Sequence, residues 1–168
     1  MHSAFCIPPL RTCRCFWGVE LAFARLPGVI STQVGYTGGQ TANPTYKTVT
    51  TGRTGHAEAV RVTYRPSEIS LSHLLDVFFD CHDPTTKNRQ GNDVGTQYRS
   101  AIFYGNAGEM SEANKAISRE EERLGRKVAT QLEPLGAFYA AEDYHQSYLA
   151  KLGQSDAKGS TQPIRCYG

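Results

Sequence analysis

Three groups of side chains in this sequence have the types and spacing to do chemistry. Cys15 stands where the first helix-like stretch begins, so its sulfur is expected near unpaired backbone N–H groups and the positive end of a helix dipole. Both lower a thiol's pKa and raise its thiolate fraction. Phe16 and Trp17 follow at once, with Gly18 behind them, and an aromatic pair beside a reactive sulfur can wall a small apolar pocket. The plainer alternative is a buried structural thiol. Glu58 is the second candidate. Strict alternation puts its carboxyl on the strand face of Val60, Val62 and Tyr64, the face that should be buried. A desolvated carboxylic acid keeps its proton near neutrality and suits a general acid, whereas a strand-end glutamate would reach solvent. The third group is the run from Asn92 to Arg99, which gathers a carboxylate (Asp93), an amide (Gln97) and a phenol (Tyr98) without a metal-binding pattern. His56 reads as a hydrogen-bonding loop histidine. Gly35-Tyr36 and Gly38-Gly39 are a weak phosphate-cradle signal, because the P-loop lysine and the dinucleotide glycine spacing are absent.

Several elements must position these groups. Apolar side chains at 16, 17, 19, 22, 23 and 26 predict a helix that Pro27-Gly28 stops. Residues 29–36 and 58–64 read as strands. Ser70 begins a second helix with Leu71, Leu74, Leu75, Phe78 and Phe79 inward, ended by Asp83-Pro84. The polar stretch 83–99 is longer than packing requires, and such loops tend to carry function. A strand at 100–104, a charged helix at 110–124, a strand at 128–132 and a helix at 141–152 complete the pattern, the last with Tyr144, Tyr148, Leu149 and Leu152 on one side. Mixed helices and strands in this order predict an α+β fold, a two-layer α/β sandwich.

Composition bounds the rest. The chain has 168 residues, 39% apolar and 20% charged, enough for one folded domain with a core. A net charge of +2 gives no electrostatic footprint for nucleic acid or an acidic membrane surface, and no apolar run approaches the roughly 20 residues that span a bilayer. Five cysteines, at 6, 13, 15, 81 and 166, are too sparse for a disulfide framework, and the Cys13-Arg14-Cys15 pair lacks a zinc-ligand partner pair.

The motifs Cys15-Phe16-Trp17-Gly18, Gly35-Tyr36-Thr37-Gly38-Gly39, Asn43-Pro44-Thr45-Tyr46, Gly55-His56-Ala57-Glu58, His82-Asp83-Pro84-Thr85-Thr86, the run 88–100 and Tyr144-His145-Gln146 together resemble the A-type peptide methionine sulfoxide reductases. The resemblance covers residues 15–152, and the tail ending Cys166-Tyr167-Gly168 looks like the plant-type tail of that family. It implies a ferredoxin-like plait core, a catalytic domain at 15–152 and a flexible C-terminal arm at 153–168, with 1–14 an atypical N-terminal segment. It also implies a reaction. Cys15 attacks the sulfur of methionine-S-sulfoxide, Glu58 supplies a proton to the leaving oxygen, Tyr46 and Tyr98 hydrogen-bond that oxygen, and Asp93 acts nearby through water. Phe16 and Trp17 receive the S-methyl group. Cys166 resolves the resulting sulfenic acid as a disulfide, which thioredoxin reduces. No metal or organic cofactor is implied. The expected substrates are free methionine sulfoxide and oxidised proteins, the expected state a monomer, and the expected compartment the cytoplasm, with the plastid as alternative.

The chain departs from that pattern at Arg14, where the family has glycine, and at Ser160, where the plant-type tail carries another cysteine. Ile7-Pro8-Pro9 is a poor entering strand, because proline cannot donate to a ladder. These departures support an alternative expectation: a truncated, non-catalytic relative that binds sulfoxide-bearing peptides. A cysteine hydrolase using Cys15 with His56 or His145 is a third reading.

Overall fold

Alternating burial along one strand organises the molecule, seen in a computed structural model that describes residues 2–5 and 16–165. Strand β3 (Ala57–Tyr64) lies between β1 (His2–Phe5) and β2 (Val29–Thr37), antiparallel to both, and β8 (Tyr139–Ala140) extends the sheet beyond β2 in the order β1-β3-β2-β8. Between β2 and β3 runs a one-turn helix α2 (Tyr46–Val49); after β3 come α3 (Leu71–Asp80), a small hairpin of β4 (Arg89–Gln90) and β5 (Asp93–Val94), a 3₁₀ turn (Thr96–Tyr98) and β6 (Ala101–Tyr104). Helix α4 (Ala107–Leu124) leads to β7 (Gln131–Pro134), which pairs in parallel with β6, and α5 (Tyr148–Lys151) follows β8.

Helices α1 (Phe16–Ala24) and α3 cover one face of the sheet. Phe16, Val19, Phe23, Leu74, Leu75 and Phe78 pack there against Val34, Tyr36, Val60 and Val62. The other face holds a smaller cluster of Ala57, Ala59, Ala101 and Phe103 under Leu135 and Phe138. Helix α1 is buried nearly all round, Glu20 included, because the sheet, α3 and α5 all press on it. Helix α3 instead keeps the expected single apolar face, and the Ser70 hydroxyl caps it by accepting from the His73 N–H at 3.1 Å.

A strand that sequence reading did not foresee, β1, pairs from His2↔Thr63 to Phe5↔Val60; the doubtful entering segment with the two prolines lies outside the described residues. Two expectations need correction. The expected helix over 141–152 is one turn at 148–151, because Ser147 adopts a left-handed φ of 51° and gives its N–H to Glu20 rather than to a preceding carbonyl. The tail is no free arm up to residue 165. Gly159 N–H donates to the Arg25 carbonyl at 2.7 Å, and Lys158 and Arg25 add side-chain bonds between the tail and the end of α1.

Candidate active site

Glu58 takes the inward face that alternation assigned to it and is 3% exposed. Burial pushes its carboxyl up to about 8; a backbone hydrogen bond from Phe16 works in the other direction, and the negative charge of Asp93 adds to the rise. The group is therefore a neutral acid at pH 7. Its bond to Phe16 ties it to the first turn of α1, immediately after position 15. Tyr98 feels the same surroundings. Burial, then the charge of Glu58, with smaller effects from Tyr46 and Asp93, pushes its phenol up to about 12. Glu58, Tyr98, Tyr46 and Asp93 thus form one electrostatic cluster.

The loop that delivers Asp93 and Tyr98 is held from several sides. Gln97 Nε2 donates to the Thr50 carbonyl at 3.3 Å, Arg99 Nη1 to the Gly55 carbonyl at 3.2 Å, and Gly95 N–H to the Asn88 carbonyl at 2.9 Å. Gly95 has a φ of 153°, a backbone conformation that residues with side chains rarely adopt, so the turn into the phenol's segment favours glycine. His82 braces the base of the loop. Its Nδ1 lies 2.8 Å from the Phe78 carbonyl and its Nε2 2.7 Å from Ser100 Oγ, and burial drops its pKa to about 4. Tyr46 enters from α2, whose first turn is closed by a Thr45–Thr48 capping box.

An aromatic cluster adjoins these polar groups. Trp17 stacks on Tyr148 with ring centroids 3.9 Å apart, and its indole N–H donates to His145 Nδ1 at 3.2 Å. The imidazole lies 4.6 Å from the Tyr46 ring and 5.4 Å from that of Phe16. Burial lowers the His145 pKa, against the pull of Glu142, so the ring is neutral; with Nδ1 accepting, the proton sits on Nε2, which has no hydrogen-bond partner among the described residues. Phe16 is 0% exposed, so it floors this cluster from inside the core, while Trp17 is half-buried. Glu142 secures the arrangement by accepting from Tyr36 Oη at 2.9 Å and from Tyr46 N–H at 2.8 Å. Burial alone would raise the Glu142 pKa, but these bonds outweigh it and hold the carboxyl ionised.

The remaining candidates are structural. His56 accepts from Gly39 N–H at 3.1 Å through Nδ1, and its Nε2 lies 2.8 Å from the Thr41 carbonyl, so both ring nitrogens are engaged and neither is free to act as a base. A Cβ at Gly39 would lie 2.4 Å from the His56 backbone nitrogen, so that glycine serves close packing. Cys81 is buried at the end of α3, and burial pushes its thiol up to about 12. No group of three or more His, Cys, Asp or Glu among the described residues is placed to hold a metal ion.

The sequence profile of the family described as peptide methionine sulfoxide reductase matches residues 12–165. The chain belongs to that family. A relative named peptide methionine sulfoxide reductase A4, chloroplastic, from Arabidopsis thaliana is 54% identical over 159 residues, a match covering 92% of this chain; the chain spans 62% of that relative's length. Mxr1 from Saccharomyces cerevisiae in reduced form is 38% identical, with a TM-score of 0.83 and 98% and 92% of the two chains covered. Mxr1 in complex with Trx2 matches at 26% identity and a TM-score of 0.59, covering 88% of this chain and 84% of that one.

Of the residues this reductase family's pattern singles out, the structure brings Glu58, Tyr46, Tyr98 and Asp93 into one cluster and sets Phe16 and Trp17 beside it. Cys15 and Cys166 lie outside the described residues. Sequence reasoning missed Glu142 and Tyr36 as supports, and it placed Tyr148 on a longer helix rather than against Trp17. The spacing of Glu142 and His145 was the available signal for the first, but nothing local pointed Tyr36 at either.

Proposed function

We propose that this chain reduces methionine-S-sulfoxide, free or within oxidised proteins, to methionine, as a thioredoxin-dependent peptide-methionine (S)-S-oxide reductase. The observation that carries this reading is a buried, protonated Glu58 bonded to the backbone N–H next to Cys15, with two phenols around it. The Cys15 thiolate attacks the sulfoxide sulfur. The oxygen passes to the cysteine sulfur while Glu58 provides the proton that its developing charge requires, and Tyr46 and Tyr98 steady it by hydrogen bonds. Methionine departs and Cys15 is left as a sulfenic acid. Cys166 then forms a disulfide with Cys15, releasing water, and a dithiol of thioredoxin reduces it. The epimer is selected because a methyl group must meet Trp17 and the Phe16 floor while the oxygen meets the carboxyl and phenols. The Trx2 complex of Mxr1 supports the same partner here.

The finer architecture belongs to this reading as well. The order β1-α1-β2-β3-α3-β6, with β6 beside β1, supports a ferredoxin-like plait. Residues 15–152 act as the catalytic domain, in a monomer that needs neither metal nor organic cofactor. No described helix is long and apolar enough to cross a membrane. The cytoplasm is the expected compartment, and the chloroplastic name of one relative supports the plastid alternative.

Methionine yield from the chiral S-sulfoxide tests the proposal, first with dithiothreitol and then with thioredoxin. Product in both, abolished by Cys15→Ser, is the expected result. Binding without product would instead favour the non-catalytic relative.

A further inference from the structure

Trp17 is the chain's single tryptophan, and its ring is held from two directions. Tyr148 stacks on it with centroids 3.9 Å apart, while His145 lies 5.6 Å away at an interplanar angle of 28° and accepts the indole N–H on Nδ1 at 3.2 Å. An indole nitrogen can only donate, so tilting the ring away forfeits this bond. The acceptor is itself fixed, for the imidazole is buried and the backbone on both sides of it is tied down. His145 N–H donates to the Glu142 carbonyl at 2.9 Å. The next side chain, Gln146, accepts from Val34 N–H at 3.0 Å and donates to the Val34 carbonyl at 2.9 Å, and Ser147 N–H donates to Glu20 at 2.8 Å. The segment is thereby bonded to β2 and to α1, the helix that carries Trp17. The tautomer is set as well. Nε2 faces the ionised Glu142 carboxyl, with Oε2 at 3.9 Å, and an anion there favours the ring proton on that side, which leaves Nδ1 as the acceptor.

We infer that His145 is a positioning residue for substrate selection: by taking the indole N–H it holds Trp17 at one angle to Phe16 and so sizes the apolar site for a methyl group on the sulfoxide sulfur, against a longer alkyl group. The inference rests on the function proposed above. The Phe16 and Trp17 rings lie 6.2 Å apart at 32°, so a tilt of the indole changes the space between wall and floor directly. Stacking on Tyr148 does not fix that tilt, because ring faces slide over one another at little cost, whereas a hydrogen bond weakens steeply as its angle departs from linear. With the wall held, an added methylene must overpack the site. With the bond gone, the ring can yield and admit it. One neutral hydrogen bond corresponds to about fivefold in an equilibrium constant, which lies inside the roughly 10–200-fold discrimination that a single methylene can give.

The test compares the S-sulfoxides of methionine and of its S-ethyl homologue on the full chain, with dithiothreitol as reductant, and reads kcat and KM for each. His145→Phe keeps a ring but offers no acceptor; it should lower the methyl-over-ethyl ratio of kcat/KM about fivefold. Its kcat for the methyl substrate should change by less than about twofold, the effect falling on KM. His145→Gln, whose amide reaches past the Nδ1 position, is a second variant with the same expected loss. His145→Asn keeps an oxygen near that position and should recover most of the ratio. In a Trp17→Phe background, which has no indole N–H, His145→Phe should move the ratio by less than about twofold. Apart from turnover, the lone indole N–H signal in the NMR spectrum of isotope-labelled protein should exchange with solvent faster in His145→Phe than in the wild type and slowly again in His145→Asn. An unchanged ratio in both His145→Phe and His145→Gln, no recovery with Asn, an equal effect in the Trp17→Phe background, or an indole signal that exchanges as slowly without the acceptor would overturn the inference. Wild-type chain that turns over neither sulfoxide would overturn the reductase reading instead, and the selection role with it.

Discussion

At its N-terminal end helix α1 gives a backbone N–H to Glu58, a carboxyl that burial keeps protonated; at its C-terminal end it receives Lys158 on its carbonyls and carries Arg25 against the tail. One element serves two chemistries because its ends have opposite polarity. The positive end favours an anionic sulfur, and the negative end favours cations that anchor a chain. The difference is also one of dielectric. Glu58 lies in the core, where its charge state is decided by desolvation, whereas the Lys158 anchor lies closer to solvent. One end of α1 thus holds a neutral acid and the other holds cations against the tail.

The largest expected break in that comparison is at the acid. Glu58→Gln should slow methionine formation by about 10²-fold or more, the usual range for a lost general acid, and leave disulfide formation unchanged. Single-turnover methionine yield checks this, and an unaltered rate would remove Glu58 from the mechanism. The same group sets a pH limb. If Glu58 acts in its protonated form as proposed, its pKa raised to about 8 means that the methionine step should fall about tenfold per pH unit above that value. In Glu58→Gln the limb should vanish; if it persists unshifted, another group is titrating.

Trp17→Ala should sharpen the substrate side of the N-terminal end. It removes the ring stacked on Tyr148 and the donor to His145, and we expect KM for the S-sulfoxide to rise about tenfold, as loss of roughly one to two kcal/mol of apolar contact would give. Steady-state kinetics with dithiothreitol decide it: a change confined to kcat would argue against a pocket wall.

The middle of the helix supplies a control. Glu20 is buried, accepts from Ser147 N–H at 2.8 Å, and has its pKa raised to about 7, chiefly by burial. The native state therefore holds a proton that the unfolded chain has lost between about pH 4.5 and 7, so stability falls as pH rises through that window. Glu20→Gln should flatten this decline, leaving the variant relatively more stable at pH 8 by on the order of 3 kcal/mol at about 1.4 kcal/mol per pKa unit. Urea unfolding at pH 5 and pH 8 measures it. An undiminished decline in the variant would place the titrating group elsewhere, and the ratio of the two catalytic steps should not move.

Much of the site was legible because its signals are local. The alternation through β3 placed Glu58 on the buried face, and that face is where the structure buries it. The periodicity of α3 was equally plain. The one-turn α5 was misjudged because its start depends on Glu20, more than a hundred residues earlier in the chain, capturing the Ser147 N–H. The short strand β1 escaped notice because its pairing partner in β3, not its own residue types, makes it a strand.

By itself the sequence determined residue chemistry and period: a cysteine ahead of an apolar helical run, an acid on an alternating strand, phenols and a carboxylate in a polar loop. Only the tertiary structure decided that Glu58 is dry enough to stay protonated, that Trp17 donates its indole N–H to His145, and that the tail is hydrogen-bonded to the end of α1. The physical reason is range. Propensity and periodicity act over a few residues, whereas desolvation and hydrogen-bond partnership depend on which distant segments the fold brings into contact.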